Sequence, residues 1–244
     1  MATERNMIGF ELGTTDEFSI FAAGCSLVND PAGITPRTGL WFLRMAPTAQ
    51  QSAVNITSDG IVLNGSYAGS GHLRIHVRMF IRINTYPSSS LQFCDFGTIC
   101  NLFIGTTGQL SVNFTGHAAV AGPTVAIDGA WHQIDLDFDM DGNTPANSTF
   151  SVQLDGGSLT TTTQVNAGPF GCGDINLGIN TNNTFSIDVD DYVMFSANLT
   201  DAASTLVLPT QNHIVPVPIV TQGATNQWTG NYTAVEDIPP STSP

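Results

Sequence analysis

The sequence predicts an all-β protein that folds as a two-sheet antiparallel sandwich. Short segments between Ala130 and Phe195 alternate apolar and polar residues, and turn-forming residues bound each segment. Half-buried antiparallel strands have this pattern. Glycine, threonine, serine and asparagine are abundant, and apolar stripes with a helical period are hard to find. At 244 residues the chain can bury the core of one main domain.

A strand predicted over residues 72–83 has the clearest alternation. Six apolar side chains would face the core, and six other side chains would face the opposite side. The first set is Leu73, Ile75, Val77, Met79, Ile81 and Ile83, and the second is His72, Arg74, His76, Arg78, Phe80 and Arg82. Half of the chain's six basic residues therefore lie on one face of one strand.

Two other predicted strands, 131–140 and 185–190, carry aspartates on their polar face. We expect the arginine and aspartate faces to belong to one sheet, where opposite charges pair across strands for about 0.2–1 kcal/mol each. Alternatively, the charges line a ligand groove. At Asp191 the alternation slips by one residue, which predicts a β-bulge. The residues predicted to pair are Arg74, Arg78, Arg82, Asp135, Asp137, Asp188 and Asp190.

The first part of the chain predicts strands over residues 7–12, 18–22 and 39–45. Turn-forming residues at 29–33 predict a loop between the last two of these strands. Later segments at 150–156, 175–178 and 187–193 complete the predicted set.

The pattern changes after Leu199, so we expect a sandwich domain over residues 1–200 and an extended C-terminal arm over 201–244. Prolines interrupt the apolar segment 213–220, and proline removes the backbone donor that a central strand needs. Apolar residues on such an arm need a surface to pack on, in the same domain or in a neighbour. The candidate partner-binding residues are Pro216, Pro218, Trp228 and Tyr232.

The chain contains six arginines, no lysine and twenty acidic residues, which gives a formal net charge of −14. Such a surface repels phosphate backbones and anionic bilayers, so we expect neither nucleic acid nor a membrane as a partner. The chain does not open on a secretion signal, and no apolar run approaches the roughly twenty residues of a membrane helix. We therefore expect a product made in the cytoplasm.

Three segments of the sequence, two near the N-terminus and one near the C-terminus, resemble those of a known family. Residues 7–13 (MIGFELG) and 36–44 (PRTGLWFLR) resemble the opening of laminin-G-like proteins of tailed bacteriophages, and residues 227–239 (QWTGNYTAVEDIP) resemble their ending. The segments between residues 130 and 195 are similar to the second half of a concanavalin A-like jelly roll. The resemblance implies a jelly-roll fold and a virion structural protein without enzymatic activity.

The resemblance also implies a position on the virion surface, reached by assembly in the host cytoplasm. A capsid decoration or cement protein would bind the major capsid protein or other virion proteins, and a homo-oligomer such as a trimer fits that role. One alternative is a lectin-like module that binds host-surface glycans during adsorption. Another is a tail or fibre accessory protein, and the fold alone does not choose among them.

The sequence offers few catalytic motifs. The only glutamates are Glu4, Glu11, Glu17 and Glu236, and none stands in the E-x-D-x-E arrangement of concanavalin-type glucanases. No G-x-S-x-G motif and no glycine-rich phosphate loop are present. We therefore expect no enzymatic activity and no cofactor.

Candidate metal ligands are Asp137, Asp139 and Asp141, which match the start of a D-x-D-x-D-G calcium loop. Ser148 stands where that loop needs a glutamate, so a solvated strand end is the favoured interpretation. The four cysteines lack the spacing of metal ligands, and we expect thiols. Cys94 and Cys100 flank a turn and could instead bridge a hairpin.

Overall fold

The computed structural model describes residues 3–10, 13, 20–21, 23–29, 35–48, 50–56, 72–96, 99–141, 144–163 and 175–199. Within these ranges the chain forms fifteen β-strands and one short 3-10 helix, Pro145–Asn147. The predicted boundary at residue 200 and the arm residues Pro216, Pro218, Trp228 and Tyr232 lie outside the described residues.

The strands are short except for two of fourteen residues each, β6 and β15. The first eight are β1 (Thr3–Ile8), β2 (Ile20–Phe21), β3 (Cys25–Asn29), β4 (Trp41–Met45), β5 (Gln50–Ile56), β6 (His72–Thr85), β7 (Leu91–Phe96) and β8 (Cys100–Ile104). The other seven are β9 (Gln109–Phe114), β10 (Val120–Thr124), β11 (His132–Asp141), β12 (Thr149–Leu154), β13 (Thr160–Thr163), β14 (Ile175–Asn183) and β15 (Ser186–Leu199).

These strands form two antiparallel sheets. Sheet A has the order β13-β12-β11-β6-β15-β4-β3, and β1 also pairs with β15. Sheet B has the order β10-β9-β8-β7-β14-β5-β2. Neighbours in both sheets are often distant in sequence, as in a jelly roll. The predicted all-β, two-sheet antiparallel sandwich is confirmed.

The core lies between the inner faces of the sheets. The strands β6 and β11 pair so that Val77 stands opposite Leu136, and both side chains are buried. Phe138 of sheet A packs against Phe96 and Phe114 of sheet B, with ring centroids 6.4 and 6.0 Å away. Burial of each large apolar side chain contributes about 1.5–3 kcal/mol, so the contacts between these rings hold the sheets together.

The N-terminal strands differ from the prediction. The first strand ends at Ile8 rather than at residue 12, because Phe10 has a left-handed φ of 60° and the Gly13 N–H closes a turn on the Phe10 carbonyl. Strand β3, which includes Asn29 of the predicted loop, was not predicted. It is a short edge strand of partly buried and exposed residues with little alternation, and such a strand gives only a weak signal in sequence.

The predicted bulge in β15 is present. The register of β15 against β6 shifts between Asp190 and Val193, and Asp191 has a φ of 46°. The shift places Tyr192 in the core. It also lets two consecutive aspartates, Asp190 and Asp191, reach the same loop on the outer side of sheet A.

Candidate functional site

The outer face of sheet A, the side away from the core, carries the arginines and aspartates singled out in the sequence. Strand β6 runs between β11 and β15, so its arginines meet aspartates from both neighbours. We call the part where β6 meets β11 the open half; it contains Arg74, His76, Arg78, Gln133, Asp135, Asp137 and Asp139. We call the part beneath loop 35–40, together with Arg37 of that loop, the covered half; its strand residues are Arg44, Arg82, Asp188, Asp190 and Asp191.

In the open half, each arginine lies against an aspartate of β11. Arg74 forms an ion pair with Asp137, and the Arg78 Nε donates to Asp135 Oδ1 at 2.7 Å. His76 Nε2 lies 2.9 Å from the same oxygen. The side chains of Arg74, His76 and Arg78 are 13–16% exposed and that of Asp137 is 22% exposed. The open half therefore presents fixed polar groups that solvent can still reach.

Asp135 is the most densely bonded carboxylate of the open half. Burial raises the pKa of this carboxyl, but hydrogen bonds from His76, Arg78 and Gln133 and the charge of Arg78 outweigh burial, so the pKa is lowered from its ordinary value. Asp135 is therefore ionised at neutral pH and fixes the orientation of three neighbouring side chains.

In the covered half, Asp188 lies between two arginines. Three adjacent strands place Arg44, Asp188 and Arg82 side by side. The Arg44 Nε donates to Asp188 at 2.7 Å, the Arg82 Nη2 donates at 2.8 Å, and the Asn84 amide donates at 2.9 Å. The Asp188 carboxylate is fully buried, so these bonds replace the water that it loses.

Aromatic rings surround the arginines of the covered half. The Arg82 guanidinium lies 4.5 Å from the centroid of the Trp131 ring, and the Arg37 guanidinium lies 3.4 Å from that of Phe80. Phe42 packs edge-on against Trp131, with centroids 5.9 Å apart. Cation–π contacts of this kind stabilise guanidinium groups that have lost water.

Loop 35–40 lies over these rings and is held by two aspartates. Asp190 accepts the backbone N–H of Arg37 at 2.9 Å, while Asp191 pairs with the Arg37 side chain and accepts the Thr38 hydroxyl at 2.6 Å. The Trp131 indole N–H donates to the Thr35 carbonyl at 3.2 Å. Burial, together with the neighbouring Asp191 charge, raises the pKa of Asp190 to about 7. Asp190 thus bonds backbone amides where an arginine partner was predicted.

A separate charged cluster surrounds His132 at the start of β11. Its Nδ1 lies 2.7 Å from Asp155 Oδ2, and its Nε2 lies 3.2 Å from Asp128 Oδ1. Burial lowers the pKa of His132, but the hydrogen bonds and charges of the two aspartates outweigh burial, and the pKa is raised. His132 therefore joins two turns, one before β11 and one after β12.

The three candidate calcium ligands lie along β11. Asp137 pairs with Arg74, Asp139 stands in register with Arg74, and Asp141 accepts the Thr144 N–H at 2.9 Å. Within the described ranges, no group of three or more histidine, cysteine, aspartate or glutamate side chains is arranged to hold a metal ion.

Cys94 and Cys100 are core residues. Strand pairing places Cys94 opposite Leu102 and Cys100 opposite Phe96, and both thiols are reduced and buried. The alternative of a hairpin disulfide is therefore not realised. Within the part of the chain that is described, no helix is long and apolar enough to cross a membrane.

The outer face of sheet B is also polar, but it carries amide side chains where sheet A carries arginine–aspartate pairs. A row of amides runs across it, in which the Gln92 side chain donates to Asn101 at 2.8 Å and Asn101 donates to Asn113 at 3.1 Å. Gln92 also donates to Asp95 at 3.1 Å. These groups bond one another along the row, and this face provides control positions for tests of sheet A.

The sequence analysis missed several residues of the site. Arg44 and Gln133 have the same strand parity as the outer-face residues around them, so their alternation could have identified them. Arg37 and Thr38 lie in a loop without periodicity, more than 150 positions from their aspartate partners. No local pattern in the sequence indicates that contact.

Comparison with known proteins gives a likeness in structure alone. No protein-family model matches the sequence, and no curated protein matches it. The endo-β-1,4-glucuronan lyase of the fungus Trichoderma reesei is similar in structure, with a TM-score of 0.53 and 13% identity. The likeness covers 79% of this chain and 95% of the lyase chain. At this identity it shows the sandwich fold and nothing more.

Binding domains of botulinum neurotoxins are less similar. One, solved in complex with rat synaptotagmin II, has a TM-score of 0.47 and 13% identity, and the match covers 70% of this chain and 41% of that chain. A structure of botulinum neurotoxin type C, whose cell entry depends on interaction with two ganglioside molecules, has the same score, identity and coverage. These scores are too low to support an inference.

The likeness to the lyase corrects the prediction that this chain is not an enzyme. That prediction is wrong: it rested on the absence of the glucanase glutamates and of other catalytic motifs, and on the resemblance to phage structural proteins, and none of these excludes catalysis on this fold. An enzyme shares the fold over nearly its whole length. General acid–base catalysis can also be performed by histidine and aspartate. The likeness does not identify a reaction for this chain.

Proposed function

We propose that this chain binds carbohydrate on the open half of sheet A. One observation carries the proposal: a patch of partly exposed polar side chains on a rigid sheet, each oriented by a partner. Arg74, His76 and Arg78 offer donors on β6, and Asp137 offers acceptors beside them on β11. Sugar hydroxyls both donate and accept, so a glycan suits a surface that mixes the two.

The rigidity of this surface favours binding. The ion pairs hold the long side chains in one arrangement, so less rotamer entropy is lost when a ligand binds. The competing interpretation is that the same pairs serve only to fix the order of the strands. A binding experiment separates the two interpretations, because only the first requires a ligand.

The test is a glycan array followed by calorimetry with the full chain. We expect selective binding that free sugar displaces, and Gln133→Ala and His76→Ala should each weaken it by about tenfold, the equivalent of one or two lost hydrogen bonds. Gln92→Ala, on the outer face of sheet B, is the matched control and should leave affinity unchanged. Equal losses from Gln133→Ala and Gln92→Ala, or no selective binding, would rule out this function.

The proposal fits the lectin-like alternative within the phage resemblance, in which the protein assists adsorption from the virion surface. That location is supported by the terminal phrases of the sequence. Proteomics of purified particles tests it: a decoration protein should approach the copy number of the major capsid protein. Low copy number with enrichment in the tail fraction would favour an adsorption or fibre role.

A further inference from the structure

The arginines of the open half are already committed to carboxylates. Arginine is the residue that recognises a ligand carboxylate or sulfate best, because its guanidinium offers parallel donors in a rigid fork. Here Arg74 pairs with Asp137, and Arg78 donates its Nε to Asp135. An anionic sugar would have to compete with these aspartates at close range.

The charge of the patch also disfavours anions. Two guanidinium groups, those of Arg74 and Arg78, face the three carboxylates of Asp135, Asp137 and Asp139 on the neighbouring strand. His76 lies between them and bonds Asp135. The three carboxylates outnumber the two guanidinium groups by one, and the whole chain carries a formal charge of −14. Both local and overall charge therefore repel a polyanion.

A neutral sugar meets no such obstacle. Carboxylates that are held in place are good acceptors for sugar hydroxyls. Asp137 Oδ1 is buried, so a sugar would reach Oδ2, which accepts from Arg74 and retains a second lone pair. The Asp137 side chain is 22% exposed, against 6% for that of Asp135. A neutral glycan can thus bond both partners of a pair without separating them.

Resting on the carbohydrate-binding function above, we propose that the open half selects uncharged glycans and that Asp137 and Asp135 exclude uronic or sulfated sugars by occupying the arginines. The selectivity is then a property of the aspartates. Removing the charge of one aspartate should convert the patch into a site that accepts anions.

The experiment measures binding of the full chain to immobilised β-1,4-linked gluco- and manno-oligosaccharides and to their uronate counterparts. We expect the wild type to bind a neutral series at least about tenfold more tightly than its uronate counterpart. Asp137→Asn keeps the shape of the side chain and removes the carboxylate that pairs with Arg74, so it should shift that ratio about tenfold toward the uronate. Asp128→Asn removes the same charge away from the patch and should leave the ratio unchanged.

The outcomes distinguish this proposal from the function on which it rests. A wild type that prefers uronates, or an unchanged ratio in Asp137→Asn, overturns the selectivity but leaves carbohydrate binding intact. An equal shift in Asp128→Asn means that overall charge sets the selectivity, which also overturns the role of the aspartates. Binding to neither series, with wild-type thermal unfolding in both variants, counts against carbohydrate binding itself and the selectivity with it.

Discussion

The aspartates on the outer face of sheet A differ in burial and in the number of side chains that donate hydrogen bonds to them. Asp188 is fully buried and receives three side-chain donors, from Arg44, Arg82 and Asn84, whereas Asp137 is partly exposed. A buried charge that loses its partners is costly, while an exposed pair contributes little. We therefore expect an aspartate-to-asparagine substitution to lower the free energy of unfolding by different amounts at Asp188 and at Asp137.

Asp188→Asn should lower the free energy of unfolding by about 3 kcal/mol or more, because it leaves the buried Arg82 guanidinium and the partly exposed Arg44 guanidinium without their carboxylate. Asp137→Asn, the control, should cost about 1 kcal/mol or less. Urea denaturation monitored by tryptophan fluorescence measures both. Similar costs for the two variants would contradict the described burial.

Asp190 should make stability depend on pH near neutrality. Its pKa is about 7 in the folded chain, above the ordinary value of 3.8, so the folded state retains this proton longer than the unfolded state does. The contribution of Asp190 to the free energy of unfolding is complete below about pH 4 and is lost as the pH rises through 7. Asp190→Asn should flatten the fall in stability between pH 5 and pH 8.

The measurement for Asp190 is urea denaturation across that pH range. Asp137→Asn is the control and should keep the wild-type slope. If Asp190→Asn and the wild type lose stability in parallel, Asp190 does not titrate in this range.

At the scale of elements, the hairpin between β8 and β9 is closed by a glycine that no other residue can replace cheaply. Gly108 has a φ of 80°, and a Cβ there would overlap the Val125 carbonyl and the Tyr86 ring. Its N–H donates to the Gly105 carbonyl at 2.9 Å, and its own carbonyl accepts the Val125 N–H at 3.0 Å. The turn and the segment after β10 are thereby joined.

Gly108→Ala should destabilise the protein by about 3 kcal/mol, since backbone strain and steric overlap add. Gly116→Ala is matched in φ, at 85°, but nothing lies within 4 Å of its Cβ position. The control should therefore cost only about 1 kcal/mol, from the strain alone. The difference in thermal stability between the two variants measures the cost of the steric overlap at Gly108. Equal losses of stability would show that a Cβ at Gly108 causes no overlap.

Elements with strong alternation were predictable and those without it were not. The strands β6 and β11 alternate over ten or more residues, so their bounds, their core faces and their charged faces follow from the sequence. By contrast, β3 is a short edge strand, and loop 35–40 has no period. The contact of Arg37 with Asp191 depends on the topology that brings the loop over β15.

At the scale of the whole molecule, the titrating groups should shift maximum stability toward mild acid. The raised pKa values of Asp190 and His132 give stability that is lost as the pH rises through neutrality. The lowered pKa of Asp135 gives stability that is lost only as the pH falls below its ordinary range near 4. Repulsion within a chain of net charge −14 adds to the loss at higher pH.

We therefore expect the melting temperature to peak at about pH 5 and to fall by pH 8. Differential scanning calorimetry across pH 3–9 measures the profile. Raising the salt concentration should reduce the fall at high pH, because salt screens the surface repulsion. A peak at pH 7–8 would contradict the assigned directions of the pKa shifts.

The pairing of β15 sets the order in which this protein can form during translation. This strand pairs with β1, β4 and β6, whose residues leave the ribosome long before its own. Sheet A can therefore close only after Leu199 has emerged. Strand β1 is synthesised early but cannot pair until β15, the last described strand, has been synthesised. We therefore expect sheet A to close late in translation, and until then the edges of β1 and β4 that pair with β15 are exposed and would need protection by a chaperone.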